Sequence, residues 1–244
     1  MTSTDPPEAA EPGPQESFVP DAVLFDLDGT LVGSGAVWVG VAREVASRFA
    51  RTHSVRAVDP NPSELRQRLG VPAIQLGREL FPELSAEQHL AFSRELEAEL
   101  GSTAVVRGVG VMPGALSMLK RLHAKGLRLG VATNAGQSYL DLTLGEPAEG
   151  GLGLGRFIEA GRCLDSPRVR DKSDMLVQLM DLFGAQSGLM VGDTHGDARA
   201  AQAAKLPFVH FAGSGTSRPE GVPVEGALRA WSEFEGLLGS LGPR

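Results

Sequence analysis

The chain has 244 residues, a formal net charge of -7 and a sequence pI near 5.3. At roughly 100–200 residues per domain, this length accommodates one large domain or a domain with a sizeable insertion, and 42% hydrophobic with 22% charged residues is ordinary globular composition. The acidic balance excludes an extended basic surface for nucleic acid or an anionic membrane, and a single cysteine, Cys163, excludes an internal disulfide.

Residues 1–20 are rich in Pro, Glu and Ser with almost no apolar content, and they read as a disordered tail. No Lys or Arg precedes Arg43, and no apolar run reaches the length of a membrane span. A cytoplasmic protein with no membrane partner is the expectation. Ala22–Asp26 (AVLFD) then reads as a strand buried on both faces and ending at a carboxylate, and Asp28-Gly29 follows it as a turn.

From Gly35 to about Gly101 the pattern is helical, with Trp38, Val41, Val45 and Phe49 at spacings of three and four. Ser63 is the expected cap of a helix running to Leu69, Pro72 opens the next, and Ser85 begins a long one. After Pro113 the rhythm changes. An amphipathic helix runs to Gly126, LRLGVAT (127–133) reads as a strand, and Phe157–Ala160 reads as a weaker one. Asp174–Phe183 (helix), Leu189–Val191 (strand), Asp197–Lys205 (helix) and Pro207–Phe211 (strand) complete the alternation, while the Gly-rich Glu146–Gly155 reads as a flexible loop.

Alternation of this kind implies an α/β fold, a doubly wound parallel sheet with helices on both faces. The helical block interrupts it after the first strand. The predicted core is therefore 21–34 with 104–244, and 35–103 is an all-helical insertion above the carboxyl ends of the strands, where such sheets bind ligands.

The chemistry-bearing residues cluster at those same ends. Asp26-Leu27-Asp28-Gly29-Thr30 places two carboxylates two residues apart where a buried strand stops, and Asp193 and Asp197 form a second cluster in GLMVGDTHGD. Buried carboxylates without partners are costly, so such gathering calls for a cation or a titrating role. Hard oxygen ligands with room for water and a phosphate suit Mg²⁺. No Cys/His spacing suggests zinc, and no P-loop segment is present.

In order along the chain, Asp26–Thr30, Thr133-Asn134, Lys172 and Gly192-Asp193 with Asp197 resemble the four motifs of the haloacid dehalogenase superfamily. The resemblance spans Ala22 to about Gly213, and the block at 35–101 lies where its phosphoglycolate-phosphatase-like and phosphoglucomutase-like branches carry a helical cap. It implies phosphatase chemistry on a small phosphorylated metabolite: Asp26 attacks phosphorus and forms an aspartyl-phosphate, with Asp28 as the acid and base. It further implies Mg²⁺ at Asp26, the Asp28 carbonyl and Asp193, phosphoryl contacts from Thr133, Asn134 and Lys172, and an outer role for Asp197 toward the lysine or metal-bound water. Relatives that displace halide lack the aspartate at the position of Asp28.

The third motif departs from the family pattern, reading Arg170-Asp171-Lys172-Ser173 where many such phosphatases have Lys-Pro. Arg168 and Arg170 are the alternative cations. Asp197 is equally readable as a helix N-terminal stabiliser, and His195 and Arg66, Arg68 and Arg78 as solvated side chains. A phosphomutase or a non-catalytic binding protein on the same fold are the competing functions. Against a mutase, the cap loop from Leu69 to Ile74 offers no cation for a second phosphate.

Overall fold

The computed structural model describes residues 19–56, 61–68 and 70–241, without the side chains of 103 and 104. The predicted tail therefore lies almost wholly outside the described residues, as does Leu69. Strand β1 (Ala22–Phe25) leads through a short β2 (Val32–Gly33) into α1 (Gly35–His53), α2 (Pro62–Arg66), α3 (Ala73–Leu80) and α4 (Ala86–Leu100). After α5 (Thr103–Gly108), the chain pairs β3 (Gly110–Val111) antiparallel with β2, so its exit into the helical block and its return lie side by side.

The remainder alternates: α6 (Ala115–Ala124), β4 (Arg128–Ala132), α7 (Gln137–Leu144), β5 (Ala160–Arg162), α8 (Lys172–Phe183), β6 (Gly188–Gly192), α9 (His195–Ala203), β7 (Phe208–Phe211), β8 (Gly226–Leu228) and α10 (Phe234–Ser240). One sheet of order β5-β4-β1-β6-β7-β8 results, with every pairing parallel. Side chains alternate across a strand, and β1 accordingly sends Val23 and Phe25 into one core and Ala22 and Leu24 into the other. Met118, Leu119 and Leu122 of α6 cover the first face, and Met175, Leu176 and Leu179 of α8 the second. The α/β doubly wound reading is thus realised.

The helical block has a core of its own, in which Phe49, Phe81 and Phe92 meet with ring centroids 5.3–5.5 Å apart. Arrangements of this kind add to the area that aromatics bury.

Several local expectations are corrected. Asn61, not Ser63, caps α2, because its side-chain oxygen reaches the amides of Ser63 and Glu64 at 2.9 and 3.0 Å while Pro62 opens the helix. The fifth strand is Ala160–Arg162 rather than Phe157–Ala160, since register with Gly130–Ala132 decides it and Phe157 instead closes a 3₁₀ turn. Glu146–Gly155 is not open loop. It holds 3₁₀ turns at Pro147–Glu149 and Leu154–Arg156, and a Cβ on Gly151 would lie 2.2 Å from the Gly145 carbonyl oxygen, so glycine serves a close backbone approach there.

Helix α8 begins at Lys172, two residues before the predicted start, because Asp171 caps it by accepting from the amides of Ser173 and Asp174. These bonds, with the Ser173 hydroxyl foremost, hold the Asp171 carboxyl below its ordinary value. A depressed carboxylate stabilises the fold above its unfolded pKa of about 4, and that contribution is lost as pH falls through the lower folded value. Asp171→Ala is expected to lower the unfolding free energy by about 1 kcal/mol at pH 7. Urea titrations at pH 7 and pH 3 check this, with the gap from wild type narrowing at the acid pH.

Candidate active site

Three neighbouring strands deliver the site. Strand β1 lies between β4 and β6, so the segments leaving their carboxyl ends at Asp26, Thr133 and Asp193 converge over the middle of the sheet. The register confirms the depth: Phe25 pairs with Val131 and with Val191, one or two residues short of each polar group.

Lys172 is buried and donates to Asp26 Oδ1 at 2.6 Å and to Asp197 Oδ1 at 2.5 Å. The alternative cations are elsewhere: Arg170, just before α8, is exposed and paired with Asp174 in that helix's first turn, and Arg168 is also exposed. Asp26 Oδ2 accepts no hydrogen bond from any described residue, and Asp26 lines a chamber between the sheet and the helical block. Carboxylate oxygens of Asp26, Asp193 and Asp197 lie within 4.8 Å of one another.

Their crowding has a cost. Three carboxylates face one ammonium, a formal excess of two negative charges in a buried space. Burial, then Asp197, pushes the Asp26 carboxyl well above its ordinary value despite Lys172. Burial and Asp197 likewise raise Asp193 to about 7. For Lys172, burial opposes the charge, but Asp197 and Asp26 together hold it above the ordinary lysine value.

The oxygens differ in their freedom. Asp197 Oδ1 takes the lysine, and its Oδ2 accepts from the Thr194 amide at 2.9 Å in the box that caps α9. Helix stabiliser and lysine anchor are the same residue here. Asp193 accepts from the Ser214 hydroxyl at 2.9 Å and from Thr30 at 3.4 Å. Gly29 must be glycine: its φ is +83°, and a Cβ there would meet Asp193 Oδ2 at 2.3 Å. The hard, incompletely neutralised set of Asp26 and Asp193 fits a divalent cation, whereas the Asp28 carboxylate stands outside that cluster.

Asp28 lines the chamber, and the Tyr139 hydroxyl donates to its Oδ1 at 2.8 Å. Burial raises its pKa, against the neighbouring Ser34 and Tyr139 hydroxyls. Thr133 is buried at the β4 end, where its hydroxyl oxygen accepts from the Ala135 amide at 3.1 Å. Asn134 reaches the other way. Its side-chain amide donates to the Gly70 carbonyl at 2.7 Å and so ties the β4 loop to the helical block.

Tyr139 and Ser214 were not anticipated. Tyr139 is the chain's one tyrosine, but it lies on α7, which the residue pattern did not announce. His195, Arg66 and Arg78 are exposed, as read from the sequence, whereas Arg68 is half-buried and pairs with Glu79.

Comparison with known proteins agrees with this architecture. Residues 23–211 match the family model for haloacid dehalogenase-like hydrolases. A phosphoglycolate phosphatase of Rhodospirillum rubrum is 34% identical over 235 residues, covering 92% of each chain. One from Rhodobacter capsulatus is 25% identical, over 89% of this chain and 96% of its own. In fold, a Lactobacillus plantarum protein superposes with a TM-score of 0.74 at 21% identity, over 90% of this chain and 100% of its own. A haloacid dehalogenase-like hydrolase family protein of Streptococcus pneumoniae gives 0.70 at 17%, over 88% and 96%. With the acidic strand ends, the buried lysine and the inserted helices all in place, the chain belongs to the haloacid dehalogenase-like hydrolases, as a phosphatase of the phosphoglycolate-phosphatase-like group.

Proposed function

We propose that this phosphatase hydrolyses a small phosphomonoester in two displacements, with Asp26 as nucleophile and Asp28 as acid and base. The observation that carries it is the unengaged Oδ2 of Asp26 at the chamber floor, held in place by Lys172 on the other oxygen. Asp26 Oδ2 attacks phosphorus, the ester bond to the leaving oxygen breaks, and that oxygen takes a proton from Asp28. Water then attacks phosphorus, gives its proton to Asp28, and the acyl-phosphate bond breaks to free phosphate and Asp26.

Each neighbour has a part in this scheme. The raised pKa of Asp28 suits a group that starts protonated, and Tyr139 positions it by donating to its Oδ1. Lys172 and Thr133 stabilise charge on the transferring phosphoryl oxygens. Asn134, already bound to the Gly70 carbonyl, holds the helical block over the site in addition to any phosphate contact. Mg²⁺ would be held by Asp26, Asp193 and the Asp28 main-chain carbonyl, and when bound it supplies charge neutralisation at the phosphate.

Residues 35–103 serve as the cap and 21–34 with 104–244 as the catalytic core. Closure excludes bulk water from the reacting centre. The relatives' names make 2-phosphoglycolate one candidate substrate, and a cytoplasmic metabolite pool is the fitting source.

Phosphate release from phosphorylated metabolites and an aryl phosphate, with and without Mg²⁺, tests the reading. Mg²⁺-dependent release supports it, and none from any compound overturns it. Asp28→Asn is expected to slow turnover of an alkyl ester by roughly 10²–10⁴. The loss should be smaller for the aryl phosphate, whose leaving oxygen needs less protonation, and equal losses on both esters would remove Asp28 from the acid role.

A further inference from the structure

The chamber above Asp26 opens to solvent between the sheet and the helical block. Its far wall is apolar, formed by Val37, Trp38, Val71, Leu96 and Leu100. Its charged lining, among the described residues, consists of carboxylates alone: Asp26, Asp28 and Glu97, with no lysine or arginine.

Glu97 projects from α4, outside the reacting cluster. The Ser93 hydroxyl donates to its Oε1 at 2.8 Å, while Oε2 accepts no hydrogen bond from any described residue. Of the side-chain donors on the lining, Tyr139 is engaged with Asp28 and Asn134 with Gly70, while the Ser34 and Thr133 hydroxyls are neutral groups that bring no counter-charge. An anionic group on the alcohol portion of a substrate would enter this space beside Glu97 with no counter-charge, and a charge out of water without a partner is strongly disfavoured. A hydroxyl or ammonium group would instead find an acceptor waiting.

Resting on the phosphatase reading, we propose that the chamber selects phosphomonoesters of neutral or cationic alcohols over those bearing a carboxylate, and that Glu97 sets this preference by accepting a hydrogen bond from the alcohol portion. Repulsion of the wrong ester contributes as much to such selection as attraction of the right one.

Three esters of nearly equal size separate the cases: 2-phosphoglycolate, 2-hydroxyethyl phosphate and 2-aminoethyl phosphate. With Mg²⁺ present, kcat/KM for the hydroxyethyl and aminoethyl esters is expected to exceed that for phosphoglycolate by about tenfold or more, a gap that one polar contact can produce. Glu97→Gln, equal in size, should narrow the gap by raising phosphoglycolate and lowering the aminoethyl ester. Preference for phosphoglycolate in the wild type, or a gap unmoved by Glu97→Gln, overturns the proposal.

Calorimetric binding of the same esters to Asp26→Asn gives the order without turnover. If none of the three esters nor an aryl phosphate is hydrolysed, the phosphatase reading falls. The binding order then still decides the chamber's preference, upheld if phosphoglycolate binds weakest and overturned if it binds equally or best.

Discussion

Asp26→Asn is expected to reduce phosphate release to the background of the uncatalysed reaction, a loss of at least about 10⁴ in kcat, as when a covalent nucleophile is removed from a site that acts as a unit. The substitution keeps the shape of the side chain and removes its charge. Phosphorus then has no anionic oxygen to meet, and no acyl-phosphate can form. Stability should not fall with activity, because Asp26 is one of three crowded carboxylates whose burial pushes its protonation upward. Measured thermal unfolding within a few degrees of wild type, together with lost turnover, separates chemistry from misfolding. Retained activity on any ester would assign the nucleophile to another group.

Lys172→Met should produce the second largest change, and here activity and stability are expected to fall together. The ammonium touches Asp26 and Asp197 at once, with only about 8% of its side chain exposed. Deleting it leaves two buried carboxylates without their cation, a loss of about 3–5 kcal/mol by analogy with broken buried pairs, reduced where Asp26 or Asp197 takes up a proton instead. Turnover should drop by roughly 10²–10³, the scale of losing one preorganised donor to the phosphoryl oxygens. Arg170→Ala is the matched control. With 84% of its side chain exposed and its partner Asp174 in the first turn of the helix that follows it, Arg170 should change turnover less than about twofold and leave the unfolding midpoint close to wild type. A larger effect of Arg170 than of Lys172 would transfer the third motif's cation to the arginine.

The acidic strand ends were legible because their cost is local: a run such as AVLF followed by aspartate announces a buried strand that ends in charge, whatever surrounds it. The helix starts that depend on one capping side chain were legible in kind but not in position, since a hydroxyl at 63 looks as able to cap as Asn61, and a helix read from Asp174 gives no sign that Asp171 opens it, until the backbone is drawn. Short elements left little trace. Strand β8 has three residues, and its place is defined by hydrogen bonds to β7 and by Trp231 stacked on Phe211 at 4.5 Å.

Tyr139 shows the boundary most plainly. Its contact with Asp28 joins residues 111 positions apart in the chain, and periodicity carries no information on such a pairing. The freedom of Asp26 Oδ2, the engagement of Asn134 with Gly70, and the absence of a cation among the chamber's described lining residues are of the same kind. Residue type and spacing along a strand or helix determined the α/β alternation, the inserted helices and the set of acids and lysine that carry the chemistry. Which oxygen is free, which cation is buried and what charge faces the substrate were decided by packing between elements distant in sequence, because these depend on distances that only the closed sheet and its overlying helices create.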